Sequence, residues 1–381
     1  MFLNSIAPEH ATALKILEED LCVRSSVPIR FLIVQSALPP DVKQAALRRI
    51  EKGIDSKYEQ WLQRAIELPI GVYTPKPQAS SVGELLKTGR CKMDAEICGN
   101  AEAKMEILRL LGQWATSQSA TAPHAIGLEG PPGVGKTTFA RAALSQTLQR
   151  PFCFISLGGA NDGTLIYGHS FTYEGSVPGR IAEELICAKC MDPVIYFDEL
   201  DKVSKSSRGD EIIHALIHLT DPQQNSEFRD RYLQGIPLDL SRAVFAFSFN
   251  DRSLINPILL DRLKIVSCRS PDIGEKVDIA RQFLIPRAVS AIGNQTLVTF
   301  DDEVLRMLAT RTKEAGVREF NRSLSHIITT LNVAVHGGPD IVGLTQKDVE
   351  TLPVKCTSAL YERLLPTAIE DASPPPSAMY T

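Results

Sequence analysis

The first stretch able to do chemistry lies at residues 130–137, which read G-P-P-G-V-G-K-T. The pattern G-x-x-x-x-G-K-[ST] suits phosphates, because its glycines let backbone N–H groups turn inward and the following helix N-terminus adds partial positive charge. Lys136 is predicted to neutralise the β- and γ-phosphates of a nucleotide, and the Thr137 hydroxyl to ligate Mg²⁺. An apolar run precedes the loop and a helical segment follows it, as the motif requires. The predicted phosphate cradle comprises Gly130, Pro131, Pro132, Gly133, Val134, Gly135, Lys136, Thr137 and Thr138.

Two adjacent acids end another apolar run, V-I-Y-F-D-E at residues 194–199. Asp198 is predicted to hold the magnesium ion, directly or through water, and Glu199 to polarise the attacking water. Adjacent acids at a strand end can instead be solvated turn residues, but their position one strand beyond the phosphate loop favours the catalytic interpretation. Guanine-binding switches are the nearest competing class. Because the sequence has no N-K-x-D motif, we expect the nucleotide to be ATP.

A hydrolase of this kind also needs a polar group that orients water and a cation that meets the charge developing on the γ-phosphate. Asn250, at the end of the apolar run A-V-F-A-F-S-F-N, is the candidate for the first role. Arg262 in P-I-L-L-D-R-L and Arg318 in E-A-G-V-R-E-F are the candidate cations. Taken alone, each arginine is better explained as a surface residue.

The elements that must position these residues alternate between short apolar runs and helical segments from about residue 94 to 270. Near-continuous apolar strands separated by helices indicate a parallel sheet covered on both faces. The predicted fold is therefore α/β, a P-loop nucleotide-binding domain with a parallel sheet, preceded by a helical segment and followed by a small α-helical lid. The predicted strands are the apolar runs at 125–129, 152–156, 194–198 and 243–249.

Changes of pattern along the chain divide it into regions. Helical periodicity marks the first region, in which Pro39 and Pro40 are a plausible helix start, and T-P-K-P-Q-A-S-S-V-G opens a linker. The proline-rich end of the chain has too little hydrophobicity to fold. The predicted regions are a helical region at 1–73, a linker at 74–93, the α/β domain at 94–270, a helical lid at 271–355 and a tail at 356–381.

Composition disfavours several classes of protein. The 381 residues carry a formal net charge of −4, so neither nucleic acid nor an acidic membrane is indicated as a partner. No window approaches the roughly 18 apolar residues of a membrane span, and the N-terminus lacks the features of a secretory signal. Cys187 and Cys190 form a C-x-x-C without a second ligand pair nearby, which favours ordinary thiols over a zinc or redox site. We expect an intracellular, cytoplasmic location; an organelle matrix also fits.

The sequence strongly resembles the AAA+ ATPase module of Lon-type proteases from about residue 95 to 330. A weaker likeness at 36–69 corresponds to the helical segment that precedes this module in the family. The segments that carry the resemblance are G-P-P-G-V-G-K-T, I-S-L-G-G (155–159), T-Y-E-G-S-V-P-G-R-I (172–181), D-E-L-D-K (198–202), R-G-D-E (208–211), A-L-I-H-L-T-D-P-Q-Q-N-S-E-F-R-D-R-Y-L (215–233), P-I-L-L-D-R (257–262) and E-A-G-V-R-E-F (314–320).

The resemblance implies an ATP- and Mg²⁺-dependent homo-oligomer, usually a hexameric ring, that acts on polypeptides. It implies that Asn250 is the first sensor, Arg318 the second, and Arg262 a finger that reaches into a neighbouring subunit's site. In the T-Y-E-G segment, Tyr173 matches the aromatic residue that grips substrate in the central channel. Glu174 occupies a place that is usually aliphatic, which weakens the expectation of threading. The alternative is that Tyr173 simply packs a loop.

Family members also carry a C-terminal peptidase domain with a serine–lysine pair. Residues 345–381 contain no glycine. We expect neither a counterpart of the glycine-flanked serine loop nor one of the family's large N-terminal recognition domain. We therefore expect a Lon-like unfoldase or chaperone ring that is not itself a peptidase. The competing hypotheses are a motor that works with a separate peptidase, a nucleic-acid-dependent ATPase, and a non-enzymatic assembly factor stabilised by ATP.

Overall fold

The computed structural model describes residues 28–75, 81–116, 125–160, 162–173, 175–204, 206–293 and 297–364. Within these ranges the chain forms two compact units. None of the helices in these ranges combines the length and the apolar character that crossing a bilayer demands. Of the described residues, the first unit contains those up to 75, those from 159 to 193 and those from 204 to 244, and the second contains the rest.

Strands and helices alternate through the middle of the chain, as the apolar runs predict. Wider, π-type turns continue α6 over Arg141–Gln146 and join α11 to α12 over Ala280–Leu284. The strands in the described ranges are β1 Ala125–Glu129, β2 Phe152–Ser156, β3 Val194–Asp198, β4 Phe228–Arg229, β5 Pro237–Leu238, β6 Val244–Phe249, β7 Lys264–Ser267, β8 Val298–Phe300 and β9 Val354–Cys356. The helices there are α1 Ile29–Gln35, α2 Pro40–Glu51, α3 Ser56–Glu67, α4 Val82–Glu96, α5 Ala101–Thr116, α6 Lys136–Ala140, α7 Thr164–Tyr167, α8 Arg180–Ala188, α9 Ser207–Thr220, α10 Pro257–Asp261, α11 Ile273–Ile279, α12 Ile285–Ala291, α13 Asp302–Arg311, α14 Arg318–Gly337 and α15 Ser358–Leu364.

The second unit is built on a five-stranded sheet in the order β2–β3–β6–β1–β7. Strand β1 runs parallel to both β6 and β7, and β2 runs parallel to β3. The central strands are buried along almost their whole length, which explains their unbroken apolar sequence. Helix α6 packs against β1 and β3, and α5 against β7. The predicted α/β fold with a parallel sheet is confirmed.

The lid is the helical end of the second unit and has its own apolar core. Helix α14 runs through this core and contributes Phe320, Leu324 and Ile327, all fully buried. Strands β8 and β9 pair in parallel beside it. The predicted lid boundary at 355 is wrong, because Cys356 and the buried side chains of α15 belong to the same core. The rest of the predicted tail, residues 365–381, lies outside the described residues.

The predicted linker at 74–93 is wrong over its second half, where α4 forms. Ser81 caps this helix by accepting a hydrogen bond from the Glu84 N–H, and Met93 is fully buried. Its glycines gave the segment a low helix propensity. Packing of α4 against α5 and the π-type turns at Arg141–Gln146 overrides that propensity. Gly89 lies so close to Thr147 that a Cβ on Gly89 would stand 2.7 Å from the Thr147 methyl group.

In the first unit, helix α3 shares a core with two later segments of the chain. Asp55 caps α3 by accepting the Tyr58 N–H, and the indole N–H of Trp61 donates to the Tyr232 carbonyl at 2.8 Å. The Trp61 ring also contacts Phe171, with centroids 6.1 Å apart. The helix predicted to begin near Pro40 is confirmed, and residues 1–27 of the predicted helical region lie outside the described residues.

A buried carboxylate anchors the loop that ends at Gly179. Asp230 is 1% exposed and accepts the backbone N–H groups of Gly179, Tyr232 and Leu233 at 2.8, 2.8 and 3.1 Å. Burial raises the pKa of Asp230 to about 6, although the three hydrogen bonds act to lower it. Any Cβ at Gly179 would stand 2.1 Å from a carbonyl oxygen of α7. Glycine and a carboxylate together therefore close the base of this loop.

Candidate nucleotide-binding site

The phosphate loop lies where β1 ends and α6 begins. The Gly130 N–H extends the sheet by donating to the Phe249 carbonyl at 3.2 Å, and a Cβ on Gly130 would stand 2.2 Å from the Cys268 carbonyl oxygen. Gly133 and Gly135 have φ values of 76° and 87°, in the left-handed region that favours glycine. The motif's glycines are thus required by backbone geometry, and the loop reaches the N-terminus of α6 at Lys136.

The Lys136 ammonium group lies inside this loop and is held by three acceptors. Its Nζ donates to the Gly130 carbonyl at 2.6 Å, the Pro131 carbonyl at 3.1 Å and Asn250 Oδ1 at 2.8 Å. Burial lowers the pKa of Lys136 from its ordinary value. The Asn250 N–H donates in turn to Asp201 Oδ2 at 3.1 Å. The predicted phosphate cation and the predicted sensor are therefore in direct contact.

A cluster of hydroxyls surrounds Asp198 at the end of β3. Asp198 Oδ1 accepts hydrogen bonds from the Ser248 hydroxyl and the Glu199 N–H. The Tyr196 hydroxyl lies 3.4 Å from the same oxygen and 3.2 Å from Thr137 Oγ1. Burial raises the pKa of Tyr196 to about 12, so this phenol is neutral. Tyr196 and Ser248 were not among the site residues predicted from sequence. The alternation of side chains along a strand could have placed Tyr196 on the same face as Asp198.

Glu199 follows β3 in a backbone conformation that is uncommon outside glycine. Its φ of 59° and ψ of 46° are left-handed, and its N–H is held by Asp198 and by Ser248 Oγ, the latter at 3.2 Å. The exposed carboxylate lies over Gly158, where a Cβ would stand 1.9 Å from Glu199 Oε2. Strained backbone held in this way is typical of functional positions.

The start of α14 docks directly on the phosphate loop. The Val317 N–H donates to the Gly133 carbonyl at 3.0 Å, and a Cβ on Gly316 would stand 2.4 Å from the Pro132 carbonyl oxygen. Arg318, the first residue of α14, thereby reaches the same cleft. The cleft has a volume of about 300 Å³ and is lined by Pro132, Gly133, Val134, Gly135, Lys136, Thr137, Thr138, Asp198, Glu199, Asp201, Ser248, Phe249, Asn250, Leu284, Val317, Arg318 and Asn321.

Two predicted site residues lie elsewhere. Arg262 follows α10 and is not among the residues that line the cleft. Tyr173 belongs to the first unit, in a turn where its N–H donates to the Ser170 carbonyl at 3.1 Å. Its side chain is 68% exposed, which disfavours the alternative that it packs the loop. Glu174 lies outside the described residues.

Comparison with known proteins decides the family of the central region. A family model described as "ATPase family associated with various cellular activities (AAA)" matches residues 126–270, from β1 through β7. Residues 126–270 are an AAA domain. This family implies ATP binding and hydrolysis, and its match covers Lys136 at the start of α6 and the strand ends that carry Asp198, Glu199 and Asn250.

The AAA domain and its flanks are also similar to Lon proteases. A Lon protease homolog of Acanthamoeba polyphaga mimivirus is 38% identical over 245 residues, 64% of this chain and 24% of the relative. The Lon protease of Salinispora arenicola is 35% identical over 347 residues, 86% and 43% of the two chains. The peroxisomal Lon protease homolog 2 of Spinacia oleracea is 35% identical over 295 residues, 77% and 33%. The predicted Lon-type resemblance is confirmed, and the chain spans less than half the length of these relatives. The predicted lack of a peptidase stays a prediction.

The donor set of the cleft fits a nucleoside triphosphate with Mg²⁺. Lys136 and Arg318 supply positive charge, and the Thr137 hydroxyl and the Asp198 carboxylate are hard oxygen ligands of the kind that Mg²⁺ prefers. Asp201 lines the cleft, and its buried Oδ1 has no hydrogen-bond partner among the described residues, which indicates a polar ligand or water at this oxygen. Thr137 and Asp198 would hold the metal, which would supply positive charge to neutralise the phosphates.

A second cavity of about 730 Å³ adjoins the loop and offers apolar walls for the base of a nucleotide. It shares Val134, Gly135, Thr137, Thr138, Leu284 and Val317 with the first cleft. Its other walls were not predicted from sequence, because they come from the end of α4, the π-type turn after α6 and the lid, none of which carries a phosphate motif. These walls are Glu96, Ile97, Cys98, Arg141, Gln146, Ile279, Gln282, Phe283 and Arg287.

We expect Lys136→Ala to weaken the binding of a fluorescent ATP analogue by about 100-fold, because charged hydrogen bonds to phosphate are lost together with a buried cation. Titration of the analogue at fixed ionic strength measures the effect. Lys43→Ala is the matched control, because Lys43 Nζ donates to the Val34 carbonyl at 2.9 Å on an exposed surface of the first unit. An affinity within about threefold of the wild type would contradict the assignment of Lys136.

Proposed function

We propose that this chain is the ATP-hydrolysing motor of a homo-oligomeric, hexameric ring that remodels or unfolds polypeptides. One observation carries the proposal: a single cleft of the second unit brings together Lys136, Thr137, Asp198, Asn250 and Arg318, from four distant parts of the sequence. Glu199 lines the same cleft. Such a set supplies charge neutralisation, a metal site, a water-polarising base and a sensor, which are the parts that phosphoryl transfer to water needs.

Binding of a triphosphate would have to rearrange the hydrogen bonds of Lys136. All three ammonium protons of Lys136 already have acceptors, so contact with phosphate requires at least one of them to be released. Release from Asn250 Oδ1 would free that amide to orient water near Glu199. The carboxylate of Glu199 would then accept a proton from this water as it attacks.

The docked lid offers a route from the nucleotide to larger motion. The hydrogen bond between Val317 and Gly133 and the close approach of Gly316 fix the first residues of α14 to the phosphate loop. A change in the conformation of the phosphate loop would therefore displace Arg318 and α14, which runs through the lid core. Interfaces packed in this way switch between discrete arrangements and do not deform continuously.

The exposed Tyr173 supports polypeptide as the substrate. We expect Tyr173→Ala to lower the ratio of stimulated to basal ATP turnover to about one, because an aromatic ring supplies most of the contact that a loop of this kind can make with a chain. Phosphate release measured with and without a reduced, alkylated polypeptide gives the ratio. Tyr173→Phe keeps the ring and should keep the stimulation. Unchanged stimulation in the alanine variant would remove Tyr173 from the substrate site.

The proposed ring is tested by ATP turnover per chain as a function of protein concentration, with light scattering to follow assembly. We expect turnover to rise steeply as the oligomer forms and to rise further when unfolded polypeptide is added. A dilute preparation shown to be monomeric that hydrolyses ATP as fast as a concentrated one would overturn the proposal.

A second candidate function is that of an ATPase subunit that works with a peptidase carried on another chain. The names of the relatives, which are Lon proteases, favour this candidate. Affinity purification of the assembled ring in the presence of ATP, followed by a peptide-cleavage assay, separates the two. Recovery of a peptidase subunit at a fixed ratio to the ring supports the second candidate.

A further inference from the structure

The Tyr196 hydroxyl lies between Thr137 and Asp198, the two residues that would bind the metal in the proposed function. Tyr196 and Asp198 are two residues apart on β3, and Thr137 is in the first turn of α6. The Tyr196 hydroxyl is 3.2 Å from Thr137 Oγ1 and 3.4 Å from Asp198 Oδ1. Its side chain is fully buried, and its ring lies against Phe152 and Phe154, with centroid distances of 5.5 and 5.9 Å. The ring stack therefore fixes where the hydroxyl points.

The chemistry of the three groups sets the direction of their protons. An ionised carboxylate can only accept hydrogen bonds, so the contact with Asp198 requires Tyr196 to donate its one proton. The contact with Thr137 then requires Thr137 to donate to Tyr196. A threonine hydroxyl has one proton, so this arrangement leaves only the lone pairs of Thr137 Oγ1 facing away from Tyr196.

Asp198 is the last acceptor in this series of hydrogen bonds, and its own hydrogen bonds also leave one oxygen for the metal. The Ser248 hydroxyl, the Glu199 N–H and the Tyr196 hydroxyl all meet Asp198 at Oδ1. No donor among the described residues is recorded at Oδ2. One carboxylate oxygen is thus held by the protein, and the other remains for a cation or its water.

The geometry points to Tyr196 as a positioning residue for the metal: its hydroxyl accepts the Thr137 proton, donates to Asp198, and so aims a lone pair of each at the cation that accompanies the nucleotide. This inference rests on the proposed function, because it assumes that Thr137 and Asp198 serve Mg²⁺. A hydroxyl that merely fills space in the core would affect stability and would have no preference for the metal-bound state.

The test compares the affinity for a fluorescent, non-hydrolysable ATP analogue in EDTA and in excess Mg²⁺. Tyr196→Phe removes the hydroxyl and keeps the stacked ring. We expect its affinity in EDTA to stay within about twofold of the wild type, and the gain in affinity caused by Mg²⁺ to fall about three- to tenfold, the effect of one hydrogen bond. Thermal unfolding of the nucleotide-free variant checks that it is folded.

A double-mutant cycle separates positioning from packing. Thr137→Ala removes the proton donor and leaves the contact between Tyr196 and Asp198, so Tyr196→Phe should reduce the Mg²⁺ gain less in this background than in the wild type; independent effects would instead add. Tyr361→Phe is the matched control, because the Tyr361 hydroxyl in the lid core is buried and has no partner among the described residues. A wild-type Mg²⁺ gain in Tyr196→Phe, or a full effect of Tyr196→Phe in the Thr137→Ala background, overturns the inference and leaves the proposed function standing. A wild-type chain that binds no analogue in either buffer overturns the proposed function itself.

Discussion

Replacing Glu199 with glutamine is expected to give a chain that binds ATP about as well as the wild type and cleaves it about 1,000-fold more slowly. The amide keeps the shape and the hydrogen-bonding capacity of the side chain but cannot take a proton from water, and general bases contribute roughly 10²–10⁴-fold. The exposed position of Glu199 over Gly158 leaves room for the amide, so the fold should not change. Steady-state phosphate release gives the rate, and titration of a fluorescent ATP analogue gives the affinity.

The matched control for this variant is Glu129→Gln. Glu129 lies at the end of β1, which β6 separates from β3 in the sheet. Its carboxylate is paired with Arg252 and does not line the cleft. Because an exposed ion pair contributes little, we expect turnover within about threefold of the wild type. Equal losses in both variants would mean that any charge change at this edge of the sheet slows hydrolysis. Full turnover in Glu199→Gln would take the role of base away from Glu199.

The phosphate loop and the acids of β3 could be predicted from sequence because local rules specify both. A glycine pattern between a strand and a helix restricts the backbone enough to identify Lys136 and Thr137. Parallel strands end at one edge of a sheet, so Asp198 and Asn250 were expected near that loop. The strand order, in which β6 lies between β3 and β1, brings them there.

Contacts made by groups far apart in sequence could not be predicted in this way. The docking of Gly316 and Val317 on the phosphate loop depends on the path of the whole lid, and no local pattern specifies that path. The direct hydrogen bond between Lys136 and Asn250 is of the same kind, because Lys136 was expected to face phosphate and Asn250 to orient water. The apolar walls of the larger cavity likewise come from helices whose own patterns indicate only burial.

The error at α4 has a different physical origin. Glycine and threonine lowered the helix propensity of residues 82–90, so the pattern favoured a linker. In the fold, Gly89 allows the close approach to Thr147, and the same residue that weakens the isolated helix allows it to pack. Tertiary packing decides such segments, and single-sequence propensity cannot register it.

Arg262→Ala should reduce ATP turnover of the assembled ring by on the order of 10³-fold, because an arginine supplied in trans is worth roughly 10³–10⁵ in rate. The cleft of one chain includes Arg318 but not Arg262, so the proposed finger has to come from a neighbouring copy. Phosphate release is measured at a protein concentration where light scattering shows that the variant is fully assembled. Any loss of turnover then reflects slower hydrolysis and not failure to form the ring. The control is Arg109→Ala, whose guanidinium is exposed and paired with Glu106 at 3.1 Å within α5.

Mixing two inactive variants tests the same assignment without relying on the size of the loss. In a ring, a chain with Arg262→Ala still has Glu199, and a neighbouring chain with Glu199→Gln still has Arg262. A site contains both groups only when an Arg262→Ala chain provides Glu199 and its Glu199→Gln neighbour provides Arg262. If subunits assort randomly, about a quarter of the sites meet this condition, so an equimolar mixture should regain about a quarter of wild-type turnover. If Arg262 instead acted on the site of its own chain, every site would lack one group. The mixture would then stay as inactive as its parts, and the shared cleft would have to be abandoned.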